Sequence, residues 1–168
     1  MRATRKKNFE GIQDLSIDER VKTIYWKFAD ITESYPQLNS VKDTKIKSSI
    51  DFYNTFKFLF DHEVKEKFVV FWLNCVNVVI GYEIVCLGTL TQSIVNAREI
   101  FRGAIVSSCD SIILAHNHPS GAPEPSQDDI TTTNKLVAAG NIIDIRVLDH
   151  IIFTNYSYRS LRDMKIIN

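Results

Sequence analysis

Apolar positions follow two different spacings along the chain, and each spacing predicts a different kind of element. Helical spacing of apolar side chains, with serines able to cap the first turn of two segments, predicts helices over residues 48–60, 97–107 and 126–139, with Gly140 as the stop of the last. Runs rich in β-branched, aromatic and aliphatic residues predict strands over residues 21–28, 68–73, 78–86, 111–115, 142–153 and 156–161.

These elements predict one domain preceded by a short N-terminal lead-in segment. Residues 1–16 form a polar, basic lead-in without periodicity, and 34–47 form a polar connection. We therefore expect a single domain over 17–168. Strands and helices alternate through its second half, which is typical of a layered α/β fold.

Composition and charge exclude several classes of protein. Hydrophobic residues make up 45% of the 168 residues, which is ordinary for a globular chain. The 20 basic and 20 acidic residues balance, so we expect nucleic-acid binding to be weak or absent. Any such binding would be carried by the basic residues of the lead-in, Arg2, Arg5, Lys6 and Lys7.

No apolar run is long enough to span a membrane, and we expect a cytoplasmic protein. Its three cysteines are interpreted as small buried hydrophobic residues in a reducing compartment: Cys75, Cys86 and Cys109.

The segment from His116 to Asp129 carries the candidate chemistry. His116 and His118 lie at i and i+2 where a predicted strand ends, so their side chains point to the same side with Cα atoms roughly 6.5 Å apart. Two imidazoles at that separation can bind one metal ion. Three of the four prolines lie between 119 and 125 and restrict the path of the following loop. Asp129 then falls in the first turn of the predicted helix, where it can face the histidines.

Each half of this pattern also has a plain structural interpretation. Ser126 and Asp129 have the spacing of a capping box, with Asp in place of the usual Glu. Paired histidines also occur at strand ends without a metal. The two halves together favour a metal site, and the capping and metal-binding interpretations do not exclude each other.

The string His-x-His-x7-Ser-x2-Asp resembles the metal motif of the JAMM (MPN-plus) metalloproteases. The longer string HNHPSG, followed by Pro-Ser and Asp, is similar to the RadC-type branch of that family. Four further segments resemble signatures of that branch in the same order: Glu66-Lys67-Phe68, Gly88-Thr89-Leu90, Arg98-Glu99-Ile100-Phe101 and Leu148-Asp149-His150-Ile151-Ile152. The resemblance covers about residues 48–161.

The resemblance implies a mixed β-sheet flanked by helices in the JAMM/MPN (cytidine-deaminase-like) architecture. It implies a Zn²⁺ ion held by His116, His118 and Asp129, with one position left open for water. By the same resemblance Glu66 is the general base, with Glu63 and Glu83 as alternatives, and Ser126 steadies the oxyanion. RadC-type proteins commonly carry a helix-hairpin-helix region ahead of this domain, and we expect that region to be absent here.

We therefore expect a zinc-dependent hydrolase of the metallopeptidase or isopeptidase type, acting on a protein or peptide. The alternatives are a DNA-repair-associated or DNA-processing protein of the RadC type, and a non-catalytic scaffold stabilised by zinc. Two histidines lie outside the candidate site. We interpret His150 as a buried side chain hydrogen-bonded to backbone, and His62 as a surface residue.

Overall fold

The structure is a computed structural model that describes residues 45–88 and 95–167. The helices are α1 (Ser49–Phe56), which continues into a 3-10 turn (Lys57–Leu59), α2 (Ala97–Ser107) and α3 (Gln127–Ile142). The strands are β1 (Lys67–Leu73), β2 (Val79–Leu87), β3 (Ser111–Asn117), β4 (Arg146–Phe153) and β5 (Tyr158–Ser160). The predicted strand at 21–28 and most of the 34–47 connection lie outside the described residues. The division into 1–16 and 17–168 likewise stays a prediction.

The five strands form one mixed sheet in the order β2-β1-β3-β4-β5. Neighbouring strands are antiparallel except β3 and β4, which are parallel. Parallel neighbours need a crossover connection, and α3 supplies it. The predicted α/β fold with a layered mixed sheet is therefore confirmed.

Each face of the sheet buries its own apolar cluster. Alternate side chains of β1 show the division, because Trp72 packs with α2 and α3 on one face while Phe71 packs with α1 on the other. Phe52 of α1 is fully buried against Phe71, with ring centroids 4.8 Å apart and nearly perpendicular planes. Such an aromatic pair adds to the stabilisation that burial gives.

The first predicted helix is confirmed, and the strands predicted over 68–73 and 78–86 pair as an antiparallel hairpin. Ser48 caps α1 by accepting a hydrogen bond from the backbone N–H of Asp51 at 3.2 Å. The turn between β1 and β2 is closed by Asn74, whose Oδ1 accepts from the backbone N–H groups of Val76 and Val78. Asn77 has φ 62°, a left-handed conformation that asparagine tolerates.

The predicted boundary between the last helix and the following strand is wrong. α3 continues through Gly140 to Ile142, and β4 begins at Arg146 rather than at residue 142. Gly140 is buried inside the helix, where a Cβ would stand 2.4 Å from the carbonyl oxygen of Ile145. This glycine therefore permits close packing of the helix on the returning chain instead of ending the helix. The turn is made by Asp144, with φ 57°.

Two other boundaries shift. β3 extends past the predicted end at residue 115 to Asn117, so it includes the first histidine of the motif. β5 is confined to three residues, against the predicted 156–161. The predicted burial of the cysteines is confirmed for Cys86 and Cys109 but wrong for Cys75, which is exposed in the turn between β1 and β2. No helix among residues 45–88 and 95–167 is both long and apolar enough to cross a lipid bilayer.

Candidate metal centre

His116 and His118 project from the end of β3, between β1 and β4. His116 is fully buried, and its backbone pairs with Phe68 of β1 and Ile152 of β4. His118 continues the strand direction, because its backbone N–H donates to the carbonyl of Phe153 at 2.8 Å. The two imidazoles converge as the i, i+2 spacing predicts, with their Nε2 atoms 2.9 Å apart.

Asp129 faces both imidazoles from the first turn of α3. Its Oδ1 lies 3.3 Å from His116 Nε2, and its Oδ2 lies 3.6 Å from His118 Nε2. Ser126 caps the helix and donates to Asp129 Oδ2 from both its backbone N–H, at 2.8 Å, and its hydroxyl, at 2.6 Å. The same serine Oγ accepts from the Asp129 backbone N–H, which completes a capping box. The cap thus orients the carboxylate toward the histidines.

Three potential ligand atoms of these residues lie within 4.8 Å of one another. Within the described ranges this is the one group of three or more His, Cys, Asp or Glu side chains with such spacing. Two imidazole nitrogens and one carboxylate oxygen form a donor set that suits a divalent transition metal.

The protonation of His150 is fixed by Thr133, one helical turn after Asp129. The Thr133 hydroxyl donates its single proton to the carbonyl oxygen of Asp129 at 2.6 Å, since a carbonyl can only accept. His150 Nδ1 lies 2.6 Å from the same hydroxyl oxygen and must therefore be the donor in that hydrogen bond. Burial lowers the pKa of His150 to about 4, so the ring is neutral at pH 7 and its Nε2 is an acceptor.

This series of hydrogen bonds leaves Nε2 of His116 without a proton at the centre of the cluster. His150 Nε2 accepts from His116 Nδ1 at 2.8 Å, so the proton of His116 lies on Nδ1 and its Nε2 presents a lone pair toward His118 Nε2. His118 Nδ1 donates to the carbonyl of Ala122 at 2.7 Å, which turns its Nε2 toward the same point. Hydrogen bonds of this kind set the tautomer and ring orientation of metal-ligating histidines.

The electrostatics of the cluster favour a cation. Burial, together with His150, lowers the pKa of His116 well below its usual value. Burial alone would raise the pKa of Asp129, but the adjacent His118 imidazole and the donors of Ser126 hold it well below its usual range. The Asp129 carboxylate, with its Oδ2 3.6 Å from His118 Nε2, raises the pKa of His118 against the opposing effect of burial. A neutral His116 beside an ionised carboxylate is an arrangement in which a divalent ion can replace the His118 proton.

Glu66 lies beside this cluster, immediately before β1. Its carboxylate is close enough to help raise the pKa of His118. The antiparallel pairing of β1 with β3 ends at Phe68 and His116, each two residues along the chain from Glu66 and His118. The resemblance assigned Glu66 the role of general base, and its position is compatible with that role.

The two alternative glutamates are engaged in ion pairs. Glu63 pairs with the buried Nζ of Lys67. Glu83 pairs with Arg102 of α2, with Oε1 and Nη2 2.5 Å apart. Neither forms part of the group of His116, His118 and Asp129. The choice of Glu66 over these two glutamates stays a prediction.

Ser126, the predicted oxyanion residue, uses its hydroxyl proton to hold Asp129. Stabilising an oxyanion would require that proton to turn away from the carboxylate, and this role stays a prediction. His150 was predicted to be buried and bonded to backbone. The burial is confirmed, but the predicted partners are wrong, because its ring nitrogens bond to the side chains of His116 and Thr133.

The comparisons with known proteins agree with this geometry. A family model described as "RadC-like JAB domain" matches residues 46–166. The chain belongs to this family. The resemblance drawn from the motifs is thereby confirmed, and it covers nearly the same residues.

Curated relatives of this RadC-like JAB chain include several UPF0758 proteins. One from Methanosarcina mazei is 43% identical over 119 residues, covering 71% of this chain and 52% of that protein. One from Staphylococcus carnosus is 45% identical over 121 residues, covering 71% and 54%. A third, from Chlorobaculum tepidum, is 37% identical over 166 residues, covering 94% and 75%. The chain therefore spans about half the length of some curated relatives and three quarters of others.

Proposed function

We propose that this chain is a zinc-dependent hydrolase of the metallopeptidase type, with His116, His118 and Asp129 as the protein ligands. One observation carries the proposal: the hydrogen bonds of His150 and Ala122 leave the two Nε2 atoms directed at one point, against a carboxylate of lowered pKa. Three protein ligands are the number found in catalytic zinc sites, where the fourth position stays open. Zinc bound there would polarise a carbonyl oxygen and lower the pKa of water.

The remaining chemistry falls to side chains of the chain itself. Glu66 would accept a proton from the attacking water and pass it to the leaving amine. Phe68 stacks on His116 with ring centroids 5.9 Å apart and forms an apolar wall on one side of the cluster. Such a wall excludes water and strengthens the electrostatic interactions at the reacting atoms.

The substrate we propose is a protein or peptide, with cleavage at an amide carbonyl. A single zinc supplies one polarising contact and one nucleophile, which is what amide hydrolysis needs. Phosphodiester cleavage more often uses two metals about 4 Å apart, held by several carboxylates. The part of the chain that the structure describes holds one such ligand group, and this supports the single-metal chemistry.

The test offers the zinc-loaded and the manganese-loaded protein a peptide library, single-stranded DNA and double-stranded DNA. Asp129→Ala removes a ligand, and Asp128→Ala is the matched control, since Asp128 is exposed on the same helical turn. We expect metal-dependent peptide cleavage that Asp129→Ala abolishes and Asp128→Ala retains.

Two outcomes would contradict the proposal. Metal-dependent DNA cleavage that is lost in Asp129→Ala, with no peptide cut, would identify a DNA-processing enzyme. A protein that binds one zinc and cleaves none of the three substrates would be a metal-stabilised scaffold.

A further inference from the structure

Asn117, the residue between the two histidines, bonds to the backbone on both sides of Glu66. Its Oδ1 accepts from the backbone N–H of Lys67 at 2.7 Å, and its Nδ2 donates to the carbonyl oxygen of Lys65 at 3.1 Å. That carbonyl and that N–H belong to the two peptide groups that flank the Glu66 Cα. A single side-chain amide therefore restrains the backbone before and after this glutamate.

The position of Asn117 follows from the sheet. Successive side chains of a strand point to opposite sides, so Asn117 turns away from the side that His116 occupies. The backbone pairing of β1 with β3 ends at Phe68 and His116, and the Asn117 amide continues the contact one residue further. Asn117 is 3% exposed, so its hydrogen bonds form away from competing water.

We propose that Asn117 is a positioning residue that fixes the Glu66 backbone relative to the histidines of β3. The catalytic consequence rests on the proposed function, whereas the restraint on the backbone does not. A carboxamide fits because it presents one acceptor and one donor side by side, which neither a carboxylate nor a hydroxyl does at this reach. A third contact supports the same segment, since the backbone N–H of Gly88 donates to the Glu66 carbonyl at 2.8 Å.

The reason for such a restraint lies in the demands of proton transfer. A general base must lie within hydrogen-bond reach of the proton it takes, at about 2.6–3.2 Å between heavy atoms. A displacement of about 1 Å can cost on the order of 100-fold in rate. Because Asn117 shares β3 with His116 and directly precedes His118, its amide links the position of the base to that of the metal ligands.

Two variants and one control test the proposal. Asn117→Ala removes both hydrogen bonds, and Asn117→Asp keeps the acceptor but places an oxygen against the Lys65 carbonyl. Asn74→Ala is the matched control, because Asn74 also binds two backbone N–H groups, at the opposite end of β1. Four quantities are measured: zinc per chain, the hydrogen-exchange rate of the Lys67 amide, and kcat and KM for a peptide that the wild type cleaves.

In Asn117→Ala we expect one zinc per chain, Lys67 exchange faster by at least about 10-fold, and kcat lower by about 100-fold with little change in KM. Asn117→Asp should keep zinc and show a partly reduced kcat. If the alanine variant does not fold, the kcat and zinc content of Asn117→Asp test the positioning role instead. Asn74→Ala should change none of these quantities. If the wild type cleaves no peptide, the proposed function fails, while Lys67 exchange still tests the restraint.

Three results would overturn the positioning role. The first is a Lys67 amide exchange rate that does not change in Asn117→Ala. The second is faster Lys67 exchange in that variant with an unchanged kcat. The third is loss of zinc from either Asn117 variant. The last would place Asn117 in support of the metal ligands instead of the base.

Discussion

His116 and His150 lie side by side on parallel neighbouring strands, with Nδ1 of the first 2.8 Å from Nε2 of the second. Both rings are fully buried, and Thr133 completes the series by accepting from His150 Nδ1. The Thr133 hydroxyl donates to a backbone carbonyl, and this contact determines which atom is the donor in each of the other two hydrogen bonds of the series. A threonine that touches no candidate ligand side chain thereby determines which nitrogen of His116 is available to a metal.

Replacement of Thr133 by valine should weaken metal binding. Without the hydroxyl, His150 can carry its proton on Nε2, which then competes with His116 Nδ1 and favours the wrong tautomer of the ligand. Losses of this kind typically cost about 10–100-fold in metal affinity. Competition with a chelator measures that affinity. Thr131→Val is the control, since the Thr131 hydroxyl also bonds to a carbonyl four residues back but lies on the exposed side of α3. Equal affinities for the two variants would show that the tautomer of His116 is set elsewhere.

Elemental analysis should find about one zinc per chain in protein purified without chelators. His118→Ala should reduce this content strongly, because it removes one of three ligands. His62→Asn should retain it. His62 is an exposed histidine with φ 61°, and asparagine accepts that backbone conformation. A wild type that contains no zinc, and takes up none when zinc is added, would contradict the metal assignment.

Substitution of Glu66 by glutamine should separate metal binding from catalysis. The amide keeps the size of the side chain but cannot accept the proton, so zinc content should stay the same while peptide hydrolysis is lost, by about 100-fold or more. Glu63→Gln and Glu83→Gln should retain activity, because these carboxylates pair with Lys67 and Arg102. Full turnover by Glu66→Gln would mean that another residue is the base.

The predictable part of the fold is the part with strong periodicity. α1, β1, β2 and α2 follow their apolar patterns closely, and Ser48 caps its helix as predicted. The boundary after α3 could not be predicted, because a glycine such as Gly140 can have either of two structural roles near the end of a helix. A glycine can end a helix or permit close packing, and only the nearby carbonyl of Ile145 distinguishes the two.

The candidate site was predictable in its ligands but not in its supporting residues. The spacing of His116 and His118 on one strand is enough to bring their side chains together. His150 depends on an irregularity in the pairing of β3 with β4, where Ile112 pairs with Val147 but Ile113 pairs with Asp149. The extra residue, Leu148, shifts the alternation so that His150 faces His116. No period along the chain indicates such a bulge.

The last prediction concerns Asp149, which is 6% exposed on the opposite face of the sheet from the metal centre. Burial raises the pKa of its carboxyl. Three donors oppose that effect: the Ser160 hydroxyl at 2.6 Å and the backbone N–H groups of His150, at 2.7 Å, and Arg162, at 3.1 Å. Because burial is the larger effect, the ionised form is less favourable in the folded protein than in the unfolded chain.

Asp149→Asn should therefore change how stability depends on pH. A raised pKa contributes stability that is fully present below the unfolded value, about 4, and is lost as pH rises through the folded value. Asparagine does not ionise, so the variant should gain stability relative to the wild type as pH increases from 4 toward neutrality. Urea unfolding of both proteins at a series of pH values, with a chelator present throughout, isolates this difference because the other carboxylates are common to both. A difference that moves in the opposite direction would mean that the three donors outweigh burial and that the pKa of Asp149 is lowered in the folded state.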